Sequence, residues 1–203
     1  MELIRLSSLS RVTGRISRFS IDDLAVRELE LRDVGLEEGK IRLLRAESVG
    51  LKGFSARSLQ FTGCNLGRLR WSGGTISKVW FESCKLLGAG FDRVTMEHVV
   101  FTDCKLGYST FSRIRGAGPV MFVRCSLREA EFEDCHLARA LFDECEPVLA
   151  NFGDGRYTGC DLRGNDLSAV TGIHNLKSVI VDRAQLLQLA KALAAELQVT
   201  FGD

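Results

Sequence analysis

The sequence predicts an all-β solenoid, a chain wound into a four-sided rod, from three observations. The first is a beat of five. Apolar residues stand at Phe61, Leu66, Trp71, Ile76, Phe81, Leu86, Phe91, Met96, Phe101, Leu106 and Phe111. After one extra residue in the stretch 116–119 the beat resumes at Phe122, Leu127, Phe132, Leu137, Phe142, Pro147, Phe152, Tyr157, Leu162 and Leu167. Upstream it runs back through Ala56, Leu51, Ala46, Ile41, Leu36, Leu31, Val26, Ile21 and Ile16. Neither the 3.6-residue period of a helix nor the two-residue period of a plain strand sustains such a beat, so the chain is a repeat protein.

The second observation is a companion residue, small or apolar, two positions before each centre, as at Leu59, Cys64, Leu69, Val79, Cys84, Ala89 and Val94. Side chains two apart on an extended segment point the same way, so each five-residue unit is a short strand that then turns. The third is a longer period. Phe61, Phe81, Phe101, Phe122 and Phe142 recur every 20 residues, once 21, while Phe91, Phe111, Phe132 and Phe152 do so half a period away. Four units of five make one turn, and like residues stack one turn apart.

The elements then follow in order: a lead-in over 1–15, the coil over 16–172, and a C-terminal segment over 173–203. Arg11 at a centre position breaks the rule, and the units before Ile41 are looser. The four units Cys64-Asn65-Leu66-Gly67-Arg68, Ala89-Gly90-Phe91-Asp92-Arg93, Ala130-Glu131-Phe132-Glu133-Asp134 and Ala150-Asn151-Phe152-Gly153-Asp154 resemble the pentapeptide-repeat family. The resemblance implies a right-handed quadrilateral β-helix of about eight coils. At about 4.8 Å per coil the rod would be on the order of 40 Å long.

At 203 residues there is no room for a separate catalytic domain beside the rod. Met1–Ser10 is mixed and polar, and no apolar run could span a bilayer, so a cytosolic protein is expected. All seven cysteines (Cys64, Cys84, Cys104, Cys125, Cys135, Cys145 and Cys160) fall on the companion position. An odd count without a CxxC pair reads as packing rather than metal or redox chemistry. His98 and His136 are expected on one side, two coils apart, and His174 lies elsewhere. No nucleophile–base grouping, phosphate loop or paired-carboxylate signature appears. The expectation is a non-enzymatic protein with no catalytic residues, metal or cofactor.

Function in a solenoid lies on its outward positions. Trp80, Val100, Met121 and Leu141, each preceding a Phe centre, should stack into an exposed apolar stripe, unless the N-terminal segment or a loop covers it. The formal charge is only +1, yet residues 40–128 hold fifteen Lys/Arg against five Asp/Glu, and residues 129–166 hold three against ten. Glu129, Glu131, Glu133, Asp134, Asp143, Glu144 and Asp154 form the expected acidic binding surface.

In the C-terminal segment Asp182 is the expected N-cap of a helix. Leu186, Leu189, Ala190, Leu193 and Leu197 share one face, widened by Leu187 and Ala194. That helix is expected to cover the open last coil and also to dimerise, through Leu186, Leu187, Leu189, Leu193, Ala194, Leu197 and Phe201, with a short strand at 199–201. A tail of this kind is similar to those of pentapeptide-repeat proteins that protect DNA gyrase from quinolones. That resemblance implies a homodimer with a DNA-mimicking surface, a gyrase or related topoisomerase partner, and a role in antibiotic resistance. The basic middle of this chain and the lack of a long projecting loop depart from that pattern. The alternatives are a general protein–protein scaffold using the apolar stripe, and direct nucleic-acid binding through Arg68, Arg70, Lys78, Lys85 and Lys105. The last is not expected, because few exposed aromatics accompany those charges and the acidic end repels phosphate. No membrane partner is expected.

Overall fold

Five residues are too few for a strand to turn back on itself, so each unit runs straight, bends and continues in the same rotational sense. The computed structural model describes residues 4–5 and 13–200. It is a solenoid of parallel strands making about seven turns, closed by one C-terminal helix. The second sheet counts seven rungs between Ala25–Arg32 and Asn151–Phe152, one fewer than the eight coils expected. Side 1 is centred on Ile21, Ile41 and the column Phe61–Phe81–Phe101–Phe122–Phe142. Side 2 holds Ala46, Leu66, Leu86, Leu106, Leu127 and Pro147, and side 3 holds Leu31, Leu51, Trp71, Phe91, Phe111, Phe132 and Phe152. Side 4 holds Ile16, Leu36, Ala56, Ile76, Met96, Gly116, Leu137 and Tyr157. Sides 4 and 1 make one sheet, and sides 2 and 3 the other.

The corner residue of most units, two after the centre, adopts positive φ; Asp103 (53°), Arg113 (53°) and Arg124 (49°) are examples. On side 2 the corner tightens into a hydrogen-bonded turn, with Ala89 N–H on Leu86 O (3.1 Å), Ser109 on Leu106 (3.2 Å) and Ala130 on Leu127 (3.0 Å). The extra residue is accommodated where Met96 pairs with Gly116 and Val99 with Val120: three steps on one turn face four on the next, and the surplus bulges outward.

The core is two aromatic stacks. Along side 1 the rings lie 4.7 to 5.1 Å apart and nearly parallel. Along side 3 the Phe91–Phe111–Phe132–Phe152 rings repeat at 5.0 to 5.1 Å, and the two stacks meet edge to face. Stacked neighbours one turn apart and edge-on neighbours across the core are both favourable arrangements of the ring quadrupole. Phe19 is the bulkiest companion residue of side 1, and Gly39 above it makes the room; a Cβ there would sit 2.4 Å from the Phe19 ring.

The cysteines do more than fill space. Each Sγ–H of the column reaches back to a backbone carbonyl of the preceding turn: Cys64 to Ile41 O (3.4 Å), Cys84 to Phe61 O (3.5 Å), Cys104 to Phe81 O (3.3 Å), Cys125 to Phe101 O (3.4 Å) and Cys145 to Phe122 O (3.3 Å). Ser109 serves Leu86 O (3.0 Å), and Asn165 serves Phe142 O (2.8 Å), from the same companion position. Carbonyls of the ladder and turns already accept a backbone N–H, as Leu86 O does from Ala89, and these side chains supply a second donor that ties one turn to the next. Among the described residues no buried side-chain polar atom lacks a partner.

The end of the rod is closed by a short 3₁₀ turn, Arg183–Gln185, running into α1 (Leu186–Glu196). The face it turns to the rod is not the leucine face that the sequence suggests. Gln185 and Ala192 are buried there and Leu189 is half-buried against the core, while Leu186, Leu187, Leu193 and Leu197 point outward. The reason lies in the last turn, whose open edge presents backbone groups that need polar partners. Gln185 Nε2 donates to Leu162 O and Asn165 O (both 2.8 Å), Leu167 N–H donates to Gln188 Oε1 (2.9 Å), and Ile173 N–H to Glu196 Oε2 (2.9 Å). Gly164 N–H donates to Asp182 Oδ2 (3.0 Å), so Asp182 is committed to the last turn as well as starting the helical segment. Val199 and Thr200 form no strand, and Phe201 lies outside the described residues, as do Met1–Leu3 and residues 6–12 with Arg11 among them. Ile4–Arg5 pairs beneath Phe19–Ser20, at the foot of side 1.

Candidate functional site

The outward positions are those immediately before and after each centre, together with the corners. Trp80, Val100, Met121 and Leu141 occupy one such column on side 1, in direct register from turn to turn. Trp80 keeps 48 % of its surface exposed, and the other three are half-buried. The stripe is thus a continuous apolar line, ended above by Asp161 and below by Gln60. Ile4–Arg5 lies on the same side, four turns below Trp80.

The acidic residues do not form one surface. Glu131, Glu133, Asp134 and Asp154 lie on side 3 and its far corner, and Glu129 at the corner between sides 2 and 3. Asp143 and Glu144 lie on side 1 and its corner, across the rod. All seven are exposed, and none joins an ion pair among the described residues. A charge count along the chain folds four sides into one; the coil separates them again.

The carboxylates of the basic stretch behave differently. Asp92 takes Arg93 (3.0 Å) and Arg113 on side 3, and Asp103 takes Arg124 through two bonds of 2.8 and 3.0 Å. The Arg124 guanidinium holds the Asp103 carboxyl below its usual range. Asp92–Arg113 and Asp103–Arg124 clasp adjacent turns, exposed and individually weak.

Among the basic residues, Lys85 and Lys105 stand on adjacent turns of side 2, with Arg68 at that side's corner. Arg70 lies on side 3, its Nη1 on Gly88 O (2.7 Å), and Lys78 lies on the corner between sides 4 and 1. His98 and His136 share side 4 two turns apart, and His174 bonds Glu196 at the C-terminal end. No group of His, Cys, Asp or Glu among the described residues is arranged to hold a metal ion. Burial pushes the Cys135 and Cys160 thiols up to about 12, which leaves them protonated and inert at neutral pH.

Of the residues assigned to dimerisation, Leu187 is 79 % and Leu186 71 % exposed, and Leu193 and Leu197 are exposed beside them, with Ala194 half-buried. Leu189 faces the rod. No helix among the described residues is long and apolar enough to cross a membrane.

Units of five, four sides and in-register stacking define the class: the chain is a four-sided solenoid of parallel strands. Residues 74–152 match the family model described as a pentapeptide repeat region. Among solved structures the chain is similar to a trypsin-treated form of QnrB1, a plasmid-mediated fluoroquinolone resistance protein, at 17% identity and a TM-score of 0.44, covering 94% of this chain and 99% of that one. A second trypsin-treated form gives 18% identity and a TM-score of 0.45 over 88% and 99%. HetL, a pentapeptide repeat protein involved in heterocyst differentiation regulation from the cyanobacterium Nostoc sp. Strain PCC 7120, gives 12% identity and a TM-score of 0.26 over 84% and 89%. No curated protein matches the chain.

Proposed function

We propose that the chain is a non-enzymatic, cytoplasmic binding protein that pairs with a second copy through the outer face of α1 and engages a protein partner through its acidic end. The observation that carries this reading is the polarity of the helix. Its polar side chains are spent on the open edge of the last turn, and its leucines are left facing solvent. Exposed leucines side by side on a surface helix are costly in water unless a second surface covers them. A two-fold pairing would bring two acidic ends together around the joint.

The partner we favour is DNA gyrase or a related type II topoisomerase. Support comes from the sequence resemblance to the gyrase-protecting pentapeptide proteins, and from carboxylates that lack cations of their own. Glu131, Glu133, Asp134 and Asp154 on side 3 would stand in for phosphates before a basic, DNA-binding groove. Sedimentation analysis tests the pairing: the chain should run as a dimer, and Leu187→Glu with Leu193→Glu should make it a monomer. A supercoiling assay tests the partner, with inhibition that weakens as salt rises and fails in Glu131→Lys/Glu133→Lys. A second reading rests on the register of the Trp80–Leu141 stripe: a general scaffold that seats an apolar protein segment on side 1. It requires Trp80→Asp/Met121→Asp to abolish capture of the partner and leave the fold intact.

A further inference from the structure

The middle of side 2 has a composition that folding does not require. Lys85 and Lys105 occupy the same outward position on adjacent turns, about 4.8 Å apart in the ladder, where like charges oppose each other. Arg68 stands at the corner one turn below Gly88 and two below Tyr108, and Arg128 lies one turn above Gly107. None of these four cations joins an ion pair among the described residues. Of the carboxylates in the basic stretch, Glu82, Asp92 and Glu97 project from other sides and Asp103 is clasped by Arg124. Glu47 lies on side 2 below the strip, Glu129 stands beside Arg128 at the corner one turn above Tyr108, and Glu146 bounds the strip above. At the corner between sides 2 and 3, along the edge of the strip, Tyr108 is 58 % exposed and lines a cavity with Gly88 and Arg70.

We infer that this strip binds single-stranded nucleic acid, with Arg68, Lys85, Lys105 and Arg128 on the phosphodiester backbone and Tyr108 stacked on a base. Charge complementarity selects a polyanion, and the exposed ring at the strip's edge selects an unpaired strand, whose bases present their faces. The acidic residues that argue against nucleic acid in the linear sequence lie chiefly on sides 1 and 3, away from this strip. The inference is independent of the proposed function, which uses side 3 and α1.

The test is fluorescence anisotropy of a labelled dT20 with the full chain, between 50 and 200 mM salt. Four phosphate contacts give a salt slope near −0.7 × 4, or about −2.8, so affinity should fall about 50-fold over that range. Lys85→Glu/Lys105→Glu should reduce the slope to about −1.4 and weaken binding at least tenfold at 50 mM, with unchanged circular dichroism. Tyr108→Ala should weaken it at least about fivefold with the slope unchanged, and Glu131→Lys should not weaken it. Absence of binding at 50 mM salt overturns the inference. A 20-base-pair duplex that binds more tightly than dT20 overturns the single-strand assignment, and poly-glutamate that competes equally well overturns the assignment to nucleic acid.

Discussion

Replacing Gln185 with leucine would keep the volume of a buried side chain at the end of the rod and remove its three hydrogen bonds. The native amide donates to Leu162 O and Asn165 O, and its oxygen accepts Asp182 N–H at 2.6 Å. Leu162 O would keep the Asn165 side chain as a partner (2.8 Å), so two backbone groups, Asn165 O and Asp182 N–H, are stranded. A buried polar group left unpaired costs about 1–3 kcal/mol, which puts Gln185→Leu at about 2–4 kcal/mol. In a solenoid whose turns touch only their neighbours, that loss is local. Hydrogen exchange resolved by residue is therefore the assay. Amides of the last turn and α1 should lose protection by the full amount, while those around Phe81 and Phe101 keep theirs. Leu187→Ala, on the solvent side of the same helix, should cost the lid less than about 0.5 kcal/mol when measured on the monomer. If Gln185→Leu leaves protection unchanged, or stabilises the lid, the polar-latch account is wrong and apolar burial holds the helix.

Other expectations follow from the same geometry. Gly39→Ala should destabilise the first turns by about 1–3 kcal/mol in urea unfolding, since its Cβ would lie 2.4 Å from the Phe19 ring; a neutral result would mean Phe19 can move. Hydrogen bonds from His174 and from the Ile173 amide hold the Glu196 carboxyl below its ordinary value. Its ionised form thus favours the closed lid above the unfolded carboxyl range, and that contribution is lost as pH falls through the lowered folded value. Protection of α1 should therefore decline below about pH 4 before that of the core, and Glu196→Gln should flatten the decline. Cys104→Ser should retain the bond to Phe81 O, as Ser109 does for Leu86 O, and cost less than Cys104→Val, which fills the space without donating; the pair differ by about 1 kcal/mol if the thiol's bond matters. The native thiols should resist alkylation until the rod unfolds.

What could be read from the sequence tracks how directly a feature follows from the beat of five. The four sides, both Phe stacks, the bulge near Gly116 and the register of Trp80 with Val100, Met121 and Leu141 all follow from counting, because stacking preserves position from turn to turn. The charge windows failed for the same reason: they average over four sides, so Glu131 and Asp143 appear neighbours although they face opposite ways. The cysteines looked like packing alone; Ser109 and Asn165 at the same companion position were the available sign that the column needs donors. Which face of the helix meets the rod could not be read from its apolar periodicity. The last turn needed glutamine and glutamate instead, and this depends on which backbone groups the coil leaves open.

The account's central claim is that the acidic end of a paired rod engages a topoisomerase, and gyrase supercoiling across a salt series tests it most directly. The account predicts inhibition at low salt that weakens as salt rises and disappears with Glu131→Lys/Glu133→Lys. No inhibition at any protein-to-enzyme ratio at low salt, or inhibition indifferent to those charge reversals, would contradict it.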